Sequence, residues 1–156
     1  MPFFHPASLL ATWFGLGRLP GAPGTWGSLG ALPLAWWIGT TYGTVWLLVC
    51  AAMIFALGCR VSGQYARRTH HADPGAVVID EVAGQLLTLC AAPISLWSLI
   101  AGFMLFRLFD IVKPWPVSLA DRKIKGGFGI MLDDVLAAIY AGALLFLLDR
   151  WVIQGG

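Results

Sequence analysis

Charged side chains are scarce in this chain, and glutamate is nearly absent. Charged residues make up 12% of the 156 residues, glutamate occurs once, at Glu81, and apolar residues make up 58%. Soluble domains typically carry about 25% charged residues, many of them on the wet faces of helices. A water-covered globule would be hard to build from this composition, so we expect most of the helix surface to contact lipid or other protein.

Several functional motifs are also missing. No run of Lys and Arg alternates with aromatic residues, and the net charge is only +2, which argues against a nucleic-acid partner. The three cysteines, Cys50, Cys59 and Cys90, have no CxxC spacing and are expected to be reduced and buried. No GxSxG segment places a nucleophilic serine. Because no basic segment precedes an apolar core near the start, we expect no cleaved signal peptide.

Three apolar stretches alternate with polar ones. Residues 29–59 contain no charge and exceed the length of one membrane crossing, so we expect the turn-like residues 39–43 to divide them into two helices. Residues 82–106 contain Pro93, which predicts either a kinked span or a short helical hairpin. Residues 135–148 predict one last helix.

The loops between these helices are expected to carry the function. Residues 14–28 hold five glycines and two prolines, which favours a loop of tight turns. Basic residues concentrate in 60–68 and 107–125, so the positive-inside tendency places both segments in the cytoplasm, with an even number of crossings between them. The sequence therefore predicts an all-α protein: a compact, membrane-embedded bundle of about four to six helices, a single domain over residues 1–156, with its polar loops gathered on the cytoplasmic side.

Seven of the eight acidic residues fall in the middle of the sequence. Asp80 and Glu81 precede one predicted helix, Asp110 lies near the end of another, and Asp133 and Asp134 precede a third. If these segments converge, their carboxylates can bind Mg²⁺, which prefers oxygen ligands and often links carboxylates to a substrate phosphate. The alternative is that the acids cap helices or pair with cations. Adjacent helical residues point about 100° apart, so the last two cannot both face one ion from regular helix positions.

Cationic side chains accompany the acids. Arg107 and Asp110 are three residues apart, so a simple ion pair on one helix face would explain them. Pro114 should end the helix at Lys113, and the resulting corner could aim Lys113 at a phosphate. Arg122 belongs to a basic run that precedes two glycines. That run either approaches an oxyanion through its backbone N–H groups or is a solvated basic loop near anionic lipid.

Two further segments allow more than one interpretation. Residues 21–28, which include Thr25 and Ser28, could cradle a phosphate through flexible backbone and small hydroxyl groups, but a tight turn at the entry to a membrane explains them equally well. His70 and His71 lie on a polar loop without metal-ligand spacing. We expect both imidazoles to be solvated.

Three ordered blocks resemble the phosphatidylglycerophosphatase A family: PGAPGTWGSLGALPL at 20–34, IDEVAGQ at 79–85 and FRLFDIVKPWPVSLADRKIKGGFGIMLDD at 106–134. Apolar connecting segments of compatible length extend the resemblance over nearly the whole chain. The resemblance implies a membrane-embedded enzyme of the bacterial inner membrane, with its active site facing the cytoplasm. It also implies that Mg²⁺ is the cofactor, and that phosphatidylglycerophosphate is hydrolysed to phosphatidylglycerol and phosphate among membrane lipids.

The resemblance further implies two sets of site residues. The acidic set, for catalysis and metal binding, comprises Asp80, Glu81, Asp110, Asp133 and Asp134. The substrate-binding set, for the phosphate, comprises Arg107, Lys113, Arg122, Thr25 and Ser28. The implied mechanism is electrostatic: the metal and the cations neutralise the phosphoryl oxygens while a carboxylate positions or deprotonates the attacking water. An aspartyl-phosphate intermediate is the alternative, but the DxDx[TV] pattern of one such class is absent, which favours direct attack by water.

Two competing functions stay open at the level of sequence. One is a phosphatase or transferase acting on another lipid phosphate, although the spaced aspartates of a CDP-alcohol transferase are missing. The other is a non-enzymatic membrane scaffold or transporter. Nearly all charges lie at the ends of apolar segments, which disfavours a buried ion pathway. Convergence of Asp80, Asp110 and Asp133 or Asp134 at one point would favour the enzyme.

Overall fold

Helices account for all regular structure in the described part of the chain. The computed structural model describes residue 2 and residues 4–154, without the side chains of residues 153 and 154. Its elements are α1 (Pro6–Ala11), a 3-10 helix (Leu16–Arg18), α2 (Pro23–Thr41), α3 (Thr44–Thr69), α4 (Ile79–Leu89), α5 (Leu96–Val112), α6 (Val117–Lys123) and α7 (Gly126–Gln154). The all-α prediction is confirmed. Seven helices replace the expected four to six because α1 and α6, of six and seven residues, are too short to show as apolar stretches.

The first apolar stretch forms two helices, as predicted. The break falls at Tyr42 and Gly43, and Gly43 adopts a positive φ of 89° that favours glycine. The prediction of a loop through residue 28 is wrong, because α2 already begins at Pro23. Proline suits the first position of a helix, and the glycines that suggested turns serve helix packing instead. A Cβ atom at Gly27 would lie only 2.7 Å from the Cβ of Val78.

The second apolar stretch forms the helical hairpin of α4 and α5, one of the two predicted alternatives. Residues 90–95 make the turn, and Ser95 and Ser98 form a reciprocal capping box at the start of α5. Gly84 on α4 faces Phe106 on α5, and Gly102 on α5 faces Leu89 on α4, so the two helices run antiparallel. With 11 residues, α4 is about 17 Å long and too short to cross a bilayer core of about 30 Å.

The last helix begins earlier than predicted. It starts at Gly126, so Asp133 and Asp134 lie inside the helix and not in front of it. Gly127 explains the early start, because its missing side chain lets α7 press against α3: a Cβ atom there would lie 1.9 Å from the carbonyl oxygen of Cys59. The helix then packs against α3, α4, α5 and α6 and forms the centre of the bundle.

One end of the bundle gathers most of the polar segments. The beginnings of α2, α4 and α7 lie there, together with the ends of α3 and α5. Two helices, α3 (Thr44–Thr69) and residues Gly126–Val152 of α7, are long and apolar enough to cross a membrane. The polar end of the bundle therefore lies where α3 carries its arginines and where α7 carries Asp133 and Asp134, whereas Asp149 and Arg150 lie near the other end of α7.

Candidate active site: an acidic cavity at one end of the bundle

A cavity of about 140 Å³ opens at the polar end of the bundle. All seven acidic residues between positions 73 and 134 line it, and Asp149 alone among the eight acids does not: the lining acids are Asp73, Asp80, Glu81, Asp110, Asp121, Asp133 and Asp134. Two cationic residues in the described part of the chain, Lys113 and Lys125, share this lining. We call this space the acidic cavity. Because its lining has more carboxylates than cationic groups, a bound cation would be stabilised there.

Three carboxylates meet at the bottom of the acidic cavity. Asp80 and Glu81 come from the first turn of α4, and Asp134 comes from α7; one oxygen of each lies within 4.8 Å of the others. Gly84, one turn further along α4, allows this approach, since a Cβ atom there would lie 3.1 Å from the backbone oxygen of Asp134. Asp80 and Glu81 are neighbours in the sequence. Asp134 reaches them because α4 and α7 approach closely at Gly84.

The three carboxylates have buried oxygens that no described group satisfies. Asp80 Oδ1, Glu81 Oε2 and Asp134 Oδ2 are buried and lack a hydrogen-bond partner. Burial raises the pKa of Asp80 well above its usual value, and the charge of Glu81 adds to that effect. Burial also raises the pKa of Glu81, although the charge of Arg107 opposes the shift. Unpaired buried charges are costly, so this group fits a bound divalent cation with a preference for hard oxygen ligands, as Mg²⁺ has.

Arg107 stands behind Glu81 on the neighbouring helix. Its Nη1 forms a hydrogen-bonded ion pair with Asp110 Oδ2, as the spacing on α5 predicted, and lies 3.9 Å from Glu81 Oε1. Gly24, at the start of α2, packs against the same pair: a Cβ atom there would lie 2.2 Å from Glu81 Oε1 and 2.8 Å from Arg107 Nη1. The glycine-rich segment thus contacts the acidic site through its backbone.

Lys113 connects three segments at the mouth of the acidic cavity. It ends α5 in the left-handed conformation, and its Nζ donates hydrogen bonds to Asp121 Oδ1 and Asp133 Oδ2, both at 2.7 Å. Burial alone would lower the pKa of Lys113, but these two carboxylates raise it above its ordinary value. The same hydrogen bond from Lys113 lowers the pKa of Asp121. Lys113 is therefore a permanent cation.

The phosphate-binding set is only partly brought together. Lys113 lines the acidic cavity, whereas Arg107 is held behind it and Arg122 is exposed outside the lining. Thr25 and Ser28 also lie outside the lining, and the Ser28 hydroxyl donates to the Gly24 carbonyl at 3.0 Å.

Sequence reasoning missed three residues with a place in or near the site. Asp121 binds Lys113, and Lys125 lines the acidic cavity while its Nζ donates to the Asp121 carbonyl at 3.1 Å. Both belong to the basic run at 121–125, for which the sequence predicted a role only for the cation Arg122 and the backbone N–H groups. Gln85 lies one turn after Glu81 on α4, is fully buried, and has neither amide atom hydrogen-bonded to a described group. A glutamine among the mostly apolar residues that follow the acidic first turn of α4 was the signal for it.

The fold and the acidic cavity define an all-helical protein with a carboxylate-rich site where two apolar helices end. Within that class the sequence is specific: a model of the family "Phosphatidylglycerophosphatase A" matches residues 9–149. The chain belongs to this family and is a phosphatase.

Individual relatives cover nearly the full chain. A phosphatidylglycerophosphatase A of Haemophilus influenzae is 41% identical over 150 residues, 96% of this chain and 92% of the relative. That of Escherichia coli is 38% identical over 149 residues, covering 94% and 86%. A Bacteroides thetaiotaomicron protein named "Putative phosphatidylinositol-3-phosphatase" is 38% identical over 160 residues, covering 97% and 98%. No solved structure matches the chain.

Proposed function

We propose that this protein hydrolyses the terminal phosphomonoester of phosphatidylglycerophosphate in a Mg²⁺-dependent reaction that gives phosphatidylglycerol and phosphate. The family supplies the reaction class, and the relatives from H. influenzae and E. coli carry the name of this substrate. The observation that carries the metal dependence is the group of buried, unsatisfied carboxylate oxygens of Asp80, Glu81 and Asp134. A phosphate ester could not approach so many carboxylates without a cation between them.

Asp80, Glu81 and Asp134 would hold the metal. When bound, Mg²⁺ supplies charge neutralisation and polarisation of the phosphoryl oxygens. The rest of the site is then assigned by position. Lys113 and Lys125 face the acidic cavity and would bind phosphate oxygens. Arg107 would act by holding Glu81 and Asp110 in place, since its guanidinium lies against both.

Asp133 is our choice for the group that orients and deprotonates the attacking water. Its Oδ2 is fixed by Lys113, while its buried Oδ1 has no partner among the described groups and can accept a hydrogen bond from water. Asp110 is the alternative base, because it also lines the acidic cavity. Direct phosphate contact by Arg122, Thr25 and Ser28 stays a prediction from the family resemblance.

We further propose that the bundle lies in the bacterial inner membrane with the acidic cavity on the cytoplasmic side. The polar end carries Arg67 and Arg68 at the end of α3 and Lys113, Arg122 and Lys125 between α5 and α7. Basic residues beside membrane helices favour the cytoplasmic side. A site at that depth meets the headgroup of a lipid whose acyl chains stay in the bilayer.

A second candidate substrate follows from the Bacteroides relative, whose name indicates a lipid with a phosphorylated inositol. Phosphatidylglycerophosphate and a phosphatidylinositol 3-phosphate share one arrangement. Each has a phosphodiester and a phosphomonoester attached to carbons one and three of a three-carbon unit. The acidic cavity would accept the phosphomonoester of either lipid, so the remainder of the headgroup must decide between them.

Phosphate release from the purified protein in detergent tests the proposal. Phosphatidylglycerophosphate and phosphatidylinositol 3-phosphate are each assayed with Mg²⁺ and then with excess EDTA. We expect release from phosphatidylglycerophosphate that EDTA stops and added Mg²⁺ restores. Preference for the inositol lipid would select the second candidate. Equal release with EDTA would contradict the metal assignment, and no release from either lipid by folded protein would reject both substrates.

A further inference from the structure

A second cleft adjoins the acidic cavity and has the opposite character. It lies between the end of α3 and the beginning of α7, has a volume of about 330 Å³, and is lined in part by Arg67, His70 and His71. Ala72 and Gly126 line both spaces, so the two are neighbours. We call it the basic cleft. No carboxylate among the described residues lines it, whereas seven line the acidic cavity.

The donors of the basic cleft converge beside Gly63. A Cβ atom on Gly63 would lie 3.2 Å from the backbone nitrogen of Gly127 and 3.4 Å from a terminal guanidinium nitrogen of Arg67. The guanidinium and the first turn of α7 therefore border the same small space, which a side chain at residue 63 would enter. The positive end of a helix adds to the attraction that a guanidinium exerts on an anion.

Arg67 is free to bind a ligand, and each of the two histidines presents a ring nitrogen to the basic cleft. Arg67 forms no ion pair with any described carboxylate, and it is exposed together with His70 and His71. His71 has a defined position, because its Nδ1 lies 2.7 Å from the carbonyl oxygen of Thr69. An arginine and a helix start, flanked by two imidazoles and with no carboxylate in the described lining, form a site for a singly charged oxyanion.

We propose that the basic cleft binds the phosphodiester of the lipid headgroup while the terminal phosphomonoester occupies the acidic cavity. The inference rests on the proposed function, because both candidate lipids carry the two phosphates on a three-carbon unit. The second phosphate must then bind next to the first, and the basic cleft is the adjoining space. The phosphodiester is not cleaved, so it needs N–H donors and no metal. Arg67 thereby becomes a specificity residue for lipids with two phosphates.

The experiment compares Arg67→Gln with Arg68→Gln, a matched control on the next residue of α3 that does not line the basic cleft. Three lipids in mixed micelles separate the two phosphates. Phosphatidylglycerophosphate has both, phosphatidic acid has only the phosphomonoester, and the product phosphatidylglycerol has only the phosphodiester. KM is measured for the first two, and the inhibition constant for the third. Turnover of phosphatidic acid reports on the acidic cavity, because this lipid has no phosphodiester.

We expect Arg67→Gln to raise KM for phosphatidylglycerophosphate and the inhibition constant of phosphatidylglycerol by about tenfold, as loss of a charge-assisted hydrogen bond predicts. The effect on KM for phosphatidic acid should be much smaller, and kcat should change little. Arg68→Gln should not reproduce this pattern. Equal losses for both substrates, equal effects of the two variants, or no effect of Arg67→Gln would each overturn the proposal.

Failure of the proposed function looks different, because the wild-type protein would then release no phosphate from phosphatidylglycerophosphate. In that case calorimetric titration with dihexanoyl phosphatidylglycerol still tests the basic cleft. Binding that Arg67→Gln weakens about tenfold, and that Arg68→Gln leaves intact, would support the cleft without any turnover. Binding that is absent, or equal in all three proteins, would reject it.

Discussion

Lys113 and Asp133 are twenty residues apart in sequence, yet Lys113 Nζ lies 2.7 Å from Asp133 Oδ2. This contact ties the corner after α5 to the second turn of α7. It also separates the roles of two adjacent acids. Since neighbours on a helix point about 100° apart, Asp133 faces Lys113 while Asp134 faces Asp80 and Glu81. One lysine thus pairs with Asp133, while Asp134 joins the carboxylates that we propose to bind the metal.

Lys113→Met should lower stability and activity together. The variant leaves Asp121 and Asp133 without their shared cation, and a half-buried pair of this kind is worth about 1–2 kcal/mol. For a chain of this size, the loss corresponds to a fall of about 3–6 °C in Tm. Thermal unfolding in detergent, followed by circular dichroism, measures it.

The neighbouring cation Lys123 provides the control, because it is exposed and forms no ion pair with a described residue. Lys123→Met should leave Tm unchanged. In the double variant Lys113→Met/Asp133→Asn, part of the loss should be recovered, with a coupling of about 1 kcal/mol. Strictly additive losses would show that Lys113 and Asp133 do not stabilise one another.

Asp80→Asn and Asp134→Asn should each remove activity but raise the stability of the metal-free protein. Both carboxylates are crowded against Glu81, with buried oxygens that lack partners. Removing one charge relieves repulsion worth about 1 kcal/mol. The wild-type Tm should rise on addition of Mg²⁺, because a ligand that binds only the folded state stabilises it, and both variants should lose that rise.

Asp149→Asn is the matched control for the metal response, since Asp149 alone among the acids lies outside the acidic cavity. It should keep the Mg²⁺-dependent rise in Tm. A normal rise in Asp80→Asn and Asp134→Asn would remove these residues from the metal site. A metal-free Tm below that of wild type would show that the carboxylates stabilise the fold instead of straining it.

The breaks between helices could be predicted, but the starts of two helices could not. Gly43 and the segment around Pro93 mark turns by their own backbone preferences, so their positions are local properties. Gly27 and Gly127 gave the same local signal and lie inside helices. Their role is to let Val78 and the Cys59 carbonyl approach closely, which depends on the partner helix.

The candidate site shows the same limit. The concentration of acids in one part of the sequence predicted a shared site, and all seven do line one cavity. The Arg107–Asp110 ion pair followed from its spacing, but the partners of Lys113 could not be predicted, because they depend on the direction in which α6 and the following loop leave the corner at Lys113. That direction turns Arg122 outward and brings Asp121 and Lys125 into the lining.

Gly24→Ala should reduce activity without unfolding the protein. An added methyl group would lie 2.2 Å from Glu81 Oε1, at the end of a flexible side chain that can move aside. The backbone of α2 can therefore stay in place, and alanine favours the helix, but the Glu81 carboxylate must move away from Asp80 and Asp134, with which we propose that it binds the metal. We expect kcat/KM to fall at least about tenfold, as a misplaced site group predicts.

Gly142→Ala is the control for this substitution. A Cβ atom at Gly142, in the middle of α7, would meet only ordinary contacts at 3.5 Å or more. It should retain normal kcat/KM and normal helical content. If Gly24→Ala were as active as Gly142→Ala, Glu81 would not need its present position for the reaction.

Gln85→Leu should stabilise the protein and impair it as an enzyme. Gln85 is fully buried, and both of its amide atoms lack a partner in the described part of the chain. An unsatisfied buried amide costs about 1–3 kcal/mol, and an apolar side chain of similar size removes that cost. A residue that destabilises the fold in this way is typical of a functional site, and Gln85 lies one turn from Glu81. Tm should therefore rise by a few degrees while kcat falls.

Thr88→Val is the comparison for this substitution. Thr88 is also a buried polar residue of α4, but its hydroxyl donates a hydrogen bond to the Gly84 carbonyl at 2.9 Å, so its replacement should lower Tm. A Gln85→Leu protein with unchanged kcat would leave the amide without a catalytic role, and a lower Tm would mean that it is satisfied in the folded protein.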